Sequence, residues 1–189
     1  MQTYHDSRTI RTKLAIREAF LRLLQEKRLN KITISALTKE AQVNRVTFYL
    51  HYADINDFLD KLVDELIQEL YDFLLPLYGK PYKRGYELEA MTNLVQYIAD
   101  HHHVYRPMLV TNDVPTFTPK LMDFFRELMH NHSKDAQARA VPNLEIKSEI
   151  EIWYGLSALI GTISYWLAED MPYSPEYLAA KIVELNPFQ

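Results

Sequence analysis

The chain of 189 residues has no cysteine, four glycines and no long hydrophobic run, and each shortage removes a class of function. Without cysteine there is no disulfide framework, no thiolate nucleophile and no cysteine zinc site. The glycines, at 79, 85, 155 and 161, build no glycine-rich loop of the kind that cradles phosphate in nucleotide-binding enzymes. The N-terminal MQTYHDSRTIR lacks the apolar core of a signal peptide, so a cytoplasmic protein is expected. The longest uncharged run, Ile152 to Ala168, sits at the lower length limit for a membrane span, about 17 residues. It carries two Gly, two Ser and a Thr and is read as a buried helix; no membrane partner is expected.

What remains is ordinary globular material, 48% hydrophobic and 24% charged. The formal net charge of −4 hides an asymmetry. Residues 1–52 hold ten Lys and Arg against four Asp and Glu, whereas residues 53–189 hold eleven against twenty-one. A basic N-terminal quarter on an acidic body suits a polyanion, because Lys and Arg neutralising phosphates drive nucleic-acid affinity. Charge alone leaves open a merely solvated basic face.

No segment alternates as a half-buried strand would, and helical spacing recurs throughout, so the expected fold is all-α. A first helix runs from about Thr9 to Glu26, with Leu14, Phe20, Leu21 and Leu24 on one face and Ala15 and Ala19 between. Thr33 caps a short second helix with Ile34, Leu37 and Ala41 inward, and Asn44 caps a third from Arg45 to about Tyr52. A longer helix from Asp54 to about Tyr78 has Asp57 and Asp60 near its start, and Pro76, Gly79, Pro81 and Gly85 end it. Further helices are expected at Tyr86–Asp100, at His103–Val110 and from Pro119, capped by Thr118, to about His130. SKDAQARAVPN then reads as a loop. A long helix from about Leu144 to Glu169 and a last one opened by Ser174 and Pro175 complete the chain. The expected domains are 1–53, a three-helix head, and 54–189, a larger helical body.

Two short helices joined by a tight turn, the second studded with polar side chains, form the arrangement that lays its second helix in a DNA major groove. In NRVTFYLHY, Arg45 can reach a guanine edge with two hydrogen bonds, Thr47 a phosphate or a thymine methyl, and Tyr49 and His51 phosphate oxygens. Val46, Phe48 and Leu50 lie between them as the residues expected to hold the helix in place, with Phe48 as the anchor.

The residue order from Thr12 to Phe58 resembles the DNA-binding domain of the TetR/AcrR family of bacterial transcriptional regulators. The matching features are an apolar first helix, Thr33, Leu37, Ala41, Val43, Asn44, Arg45, Thr47, Phe48, Tyr49, His51, Tyr52 and the Asp54-to-Phe58 start of the next helix. The resemblance implies base contact near Arg45, beside Asn44, and phosphate contacts from Thr33, Thr47, Tyr49 and His51. The chain departs from the family pattern in three places. KRLNKIT replaces a glycine often found after the first helix, Val46 stands where a small residue or proline is common, and Ile55 replaces a phosphate-binding lysine. The stretch YGLSALIGTISYWLAEDMPYSPEYLAAKI is similar to a branch of the family that includes regulators of dihydroxyacetone kinase operons.

In the body, Ile146, Ile150, Trp153, Leu156, Ile160, Ile163 and Leu167 read as one stripe, and Gly155, Ala158, Gly161, Thr162 and Tyr165 as a second of mostly small groups. A helix apolar or small nearly all round is buried on more than one side. One side is assigned to the core and the other to a second subunit, in a four-helix interface with the helix from Pro175 to Leu185; the alternative is one thick monomer core. Leu66, Leu70, Phe73, Tyr97, Phe117, Phe124 and Tyr154, with Phe125 and Trp166, are candidates to line an effector cavity, although such aromatics equally form plain core. His101, His102 and His103 are about 100° apart around a helix and cannot all face one metal ion. No cofactor is implied.

The expected function is that of a homodimeric regulator, a repressor released from a palindromic operator when a small molecule binds the body. An architectural or protein-regulated DNA binder without such an effector is the alternative. An enzyme is disfavoured by the lack of any cysteine, any glycine-rich phosphate loop and any histidine and carboxylate set at metal spacing.

Overall fold

Hydroxyl and carboxamide side chains start several of the helices. Thr33 accepts a hydrogen bond from the Ala36 amide at 3.1 Å, Asn44 from Val46 at 2.8 Å and Ser174 from Tyr177 at 3.3 Å, each satisfying an amide that the first helical turn leaves free. The computed structural model describes residues 2–78, 86–138 and 148–185. Among these there are nine α-helices and no strand: α1 (Gln2–Glu26), α2 (Ile34–Glu40), α3 (Arg45–Tyr49), α4 (Ile55–Tyr78), α5 (Tyr86–Asp100), α6 (His102–Leu109), α7 (Phe117–Ala138), α8 (Glu149–Ala168) and α9 (Pro175–Glu184).

Several boundaries differ from the sequence reading. α1 begins at Gln2, seven residues before Thr9, because a helix once nucleated extends cheaply through polar residues that carry no apolar stripe. Pro76 lies inside the last turn of α4 instead of ending it, and residues 79–85 lie outside the described residues. α7 begins at Phe117, so Thr118 is not its cap; Pro119 falls in the first turn, where a missing N–H costs no bond. The helix also continues through Ser133–Ala138, the first half of the expected loop. α8 starts at Glu149 behind a capping box, with the Ser148 amide donating to Glu151 at 2.5 Å and the Glu151 amide to the Ser148 hydroxyl at 3.3 Å. Ile146 lies outside the described residues.

The turn between α2 and α3 is a Schellman motif. The Val43 amide donates to the Thr38 carbonyl at 3.0 Å and the Gln42 amide to Lys39 at 3.2 Å, with Gln42 left-handed at φ 55°. The same motif closes α8, where Met171 donates to Trp166 at 2.8 Å and Asp170 to Leu167 at 3.3 Å.

The core runs unbroken from head to body. From α1 it receives Ile16, Ala19, Phe20, Leu21, Leu23 and Leu24; Leu14 instead faces solvent with Ile10. Phe58, in the first turn of α4, meets Phe20 and Tyr52 edge-on at 5.1 Å, and Phe48 lies 6.2 Å from it. The start of α4 is thus packed into the head. In the body α4 packs on α7, α6 on α7 and α8, and α1 rests on α6. α9 lies along α5, its principal neighbour, and buries Leu178 and Ala179.

Candidate nucleic-acid interface

α3 is five residues long and stands on one side chain. Phe48 is fully buried, packed against Tyr52 at 5.2 Å, and the α2–α3 turn holds the helix beneath α2. Arg45, Val46, Tyr49 and Leu50 are exposed, as is Asn44, while Thr47 and His51 are half-buried. Val46 and Leu50 are 68% and 74% exposed, so the expectation that they hold the helix in place is corrected. They are one helical turn apart on the side away from Phe48, since positions two apart on a helix point about 200° apart.

The polar members divide by their free atoms. The Asn44 carboxamide oxygen is taken by the Val46 amide and the Thr33 hydroxyl oxygen by Ala36, which leaves the Asn44 NH₂ and the Thr33 hydroxyl proton free to donate. Arg45 Nη2 donates to the Tyr49 hydroxyl at 3.1 Å and the guanidinium lies 5.6 Å from that ring, so the two side chains form one unit across a helical turn.

His51 has two neighbours that the sequence reading missed, Lys13 of α1 and Lys61 of α4. Partial burial, and then the charges of Lys13 and Lys61, hold its imidazole below the ordinary value. Lys61 Nζ donates to the His51 carbonyl at 3.2 Å and to Asp57 at 2.8 Å, and it lies 5.5 Å from the Tyr52 ring. Asp57 accepts from Lys61 and from the Ala53 amide, contacts that lower its carboxyl pKa. Two lysines therefore flank the end of α3 although Ile55 supplies no cation there. The Asp57–Lys61 spacing of four was the available signal for one of them; Lys13 comes from 38 residues before His51 and leaves none.

Behind this surface, Arg17 of α1 holds Glu69 of α4 through two guanidinium nitrogens, with Nη2 to Oε2 at 2.8 Å. The Tyr97 and Tyr105 rings lie nearby, 6.1 Å apart and edge-on. Burial raises both tyrosine pKa values, and Phe73 and His101 stack on the Tyr97 ring at 4.3 and 4.2 Å.

Of the candidate effector residues, Phe73, Tyr97 and Phe117 lie along one run of rings through Tyr105, which is 6.1 Å from Tyr97 and 6.0 Å from Phe117. Leu66, Leu70 and Phe117 are packed in the core, as is Trp166, whose Nε1 donates to the Tyr173 carbonyl at 2.9 Å. Phe73 and Tyr97 stack together, and Tyr154 is exposed on α8. Phe124 lines an open groove of about 460 Å³ between α4 and α7, with Tyr71, Ile67, Gln68, Lys120, Asp64, Asp123 and Glu127. In the histidine run, His101 and His102 each place Nδ1 against a backbone carbonyl, Tyr97 at 2.7 Å and Ala99 at 2.9 Å.

α8 buries Ile152, Leu156, Ile160, Ile163, Trp166 and Leu167 and exposes Ile150, Trp153, Tyr154, Ala158, Gly161, Thr162 and Tyr165; Gly155 is half-buried. Ile150 and Trp153 thus belong to the outer stripe, which is aromatic at its ends and small in its middle. A methyl placed on Gly161 would meet nothing within 4 Å. No helix among the described residues is long and apolar enough to cross a membrane.

The family model TetR_C_8, a transcriptional regulator C-terminal region, matches residues 87–186. An uncharacterized HTH-type transcriptional regulator of Bacillus subtilis (strain 168), YxbF, is 25% identical over 184 residues; the match takes in 95% of this chain but 45% of that protein, so the chain spans less than half of this relative. Among solved structures, a TetR transcriptional regulator from Streptococcus agalactiae 2603V aligns over 98% of this chain and 99% of its own, with a TM-score of 0.70 and 23% identity. The dihydroxyacetone kinase operon activator DhaS aligns over 93% of each chain, with a TM-score of 0.62 and 19% identity. These two similarities establish the fold, and the family model, matching more than half of the residues, establishes the lineage: the chain belongs to the TetR family of transcriptional regulators.

Proposed function

We propose that the chain binds an operator in duplex DNA as a homodimer, with α3 in the major groove and α8 at the subunit interface. The observation that carries this reading is α3 itself, a helix anchored by the buried Phe48 that turns Arg45 and Tyr49 outward, beside Asn44, from a basic head. Arg45 reads a base edge, while Thr33, Thr47, Tyr49 and His51 hold phosphates and fix the register. The outer stripe of α8 supports the dimer, because Gly155, Ala158, Gly161 and Thr162 permit close helix approach and Tyr165 supplies buried area at its edge. Two copies of α3 about 34 Å apart then meet successive major grooves of a palindrome.

For regulation, a repressor released by a small molecule is the first reading. The packing of Leu66, Leu70 and Phe117 in the core, and the openness of the groove at Phe124, support a second, in which another protein or no effector controls the body. DhaS is an operon activator, and this chain acts in that sense as well if its operator lies where bound protein recruits polymerase.

The test is selection from random duplexes with the purified chain, followed by footprinting of the enriched sequence. The reading requires a palindrome with half-sites about 10 base pairs apart. It also requires Arg45→Ala to relax the preference at one position and Tyr49→Phe to weaken all duplexes, with any change of preference confined to the position that Arg45 reads. No enrichment of any sequence defeats the proposal.

A further inference from the structure

We infer that Val46 and Leu50 form an apolar reading edge that selects thymine at two neighbouring positions of each half-site. The inference rests on the DNA-binding reading above and assigns to these residues a role in specificity.

α3 shows two parallel outward edges. One is polar, with Arg45 and Tyr49 tied together by a 3.1 Å hydrogen bond. The other is aliphatic, with Val46 and Leu50 a turn apart and 68% and 74% exposed. Two branched aliphatic side chains at this exposure gain nothing from the fold, because Phe48 alone anchors the helix. The surroundings name the occupant. The head carries ten Lys and Arg against four Asp and Glu, and Lys13, Lys61 and His51 stand at the end of α3, so the surface around the edge is complementary to a polyanion. A protein partner seated on the same edge would have to be strongly acidic.

On the floor of the major groove the thymine 5-methyl is the one apolar group, and neither Val nor Leu can hydrogen-bond to a base edge. An aliphatic edge inserted beside Arg45 therefore discriminates by methyl contact. Arg45 takes a guanine, and the bases met by Val46 and Leu50 are thymines. Burying one methyl is worth about four-fold in affinity.

The experiment uses the full chain and the sequence that selection enriches. Each thymine is replaced singly by deoxyuridine, which removes the methyl and leaves every hydrogen-bonding group in place. Wild type is expected to lose about four-fold at each of two neighbouring positions in each half-site. Val46→Ala or Leu50→Ala should abolish the loss at its own position while binding the deoxyuridine duplex as wild type does. Both are surface changes, and circular dichroism of each variant checks that it is folded. Two results overturn the inference while leaving the operator reading intact. One is an enriched site at which no deoxyuridine substitution matters; the other is a penalty of equal size in wild type and both variants. Absence of any duplex binding overturns both.

Discussion

Arg17 of α1 and Glu69 of α4, 52 residues apart, meet through two guanidinium nitrogens and so bridge the head to the body. Their environments are unequal: the Arg17 side chain is 14% exposed and that of Glu69 45%. Glu69→Ala leaves a largely buried cation without its carboxylate, whereas Arg17→Met keeps the packing and leaves a carboxylate that water can reach. Glu69→Ala should cost about 1–3 kcal/mol in urea unfolding and Arg17→Met distinctly less. A larger loss for Arg17→Met would show that the bridge matters through the arginine's other contacts.

Gln42 holds the left-handed position of the α2–α3 turn at φ 55°, where glycine is the usual occupant. The hydrogen bond from its amide N–H to the Lys39 carbonyl belongs to the backbone and survives substitution. Gln42→Gly relieves the steric cost of this conformation at the expense of extra freedom in the unfolded chain. The expected net gain is about 0.5–1 kcal/mol in chemical unfolding, with duplex affinity unchanged because no proposed contact is touched. A destabilised variant would mean that the Gln42 side chain contributes more than its backbone strain costs.

The head was readable because its signals are local. Asn44 caps within two residues, Phe48 anchors within one turn, and the order around them matches a family motif. The error there was one of period. Treating positions 46, 48 and 50 alike applies a strand's alternation to a helix, in which 46 and 50 share a side and 48 opposes them. Leu14 failed for a related reason, since its spacing to Leu21 and Leu24 fits a stripe that Ile16, Phe20 and Leu23 fit better. The S-x-x-E of the α8 cap is local too, and it sets the start of the helix behind Ser148 instead of at the expected Leu144. Other features were out of reach altogether. Lys13 beside His51 and Arg17 on Glu69 join segments far apart in the chain, and no periodicity reports such pairs. Whether Leu66, Leu70 and Phe117 enclose a cavity depends on how the volumes of all their neighbours sum, which an apolar position does not encode.

The open space at Gly161 separates two roles that one substitution usually confuses. With nothing within 4 Å of an added methyl, Gly161→Leu leaves the protomer unstrained, and it also removes a helix-interior glycine, worth about 1 kcal/mol in helix propensity. Against a second subunit the same side chain overpacks, at about 1–3 kcal/mol. Light scattering should show a shift towards monomer and the thermal midpoint of the separated protomer should not fall. A dimer as tight as wild type would place the interface elsewhere than the α8 stripe.

His51 offers the last prediction, a pH dependence with two opposed signs. In the free protein, burial and then Lys13 and Lys61 depress its pKa below the ordinary value of about 6.5. The unfolded chain therefore takes up the proton more readily than the folded one, and stability attributable to this group is lost as pH falls through that ordinary value towards the depressed one. A phosphate placed at His51 reverses the local field, raises the pKa and makes DNA binding take up a proton. Duplex affinity should thus tighten as pH falls from 7.5 towards 6 while the free protein grows slightly less stable. The slope cannot exceed about ten-fold per pH unit for each histidine. His51→Gln keeps a donor for the phosphate and should flatten both profiles over that range. If the variant retains the wild-type slope of affinity against pH, the phosphate does not sit at His51, and the contact at the end of α3 falls to Lys13 and Lys61 alone.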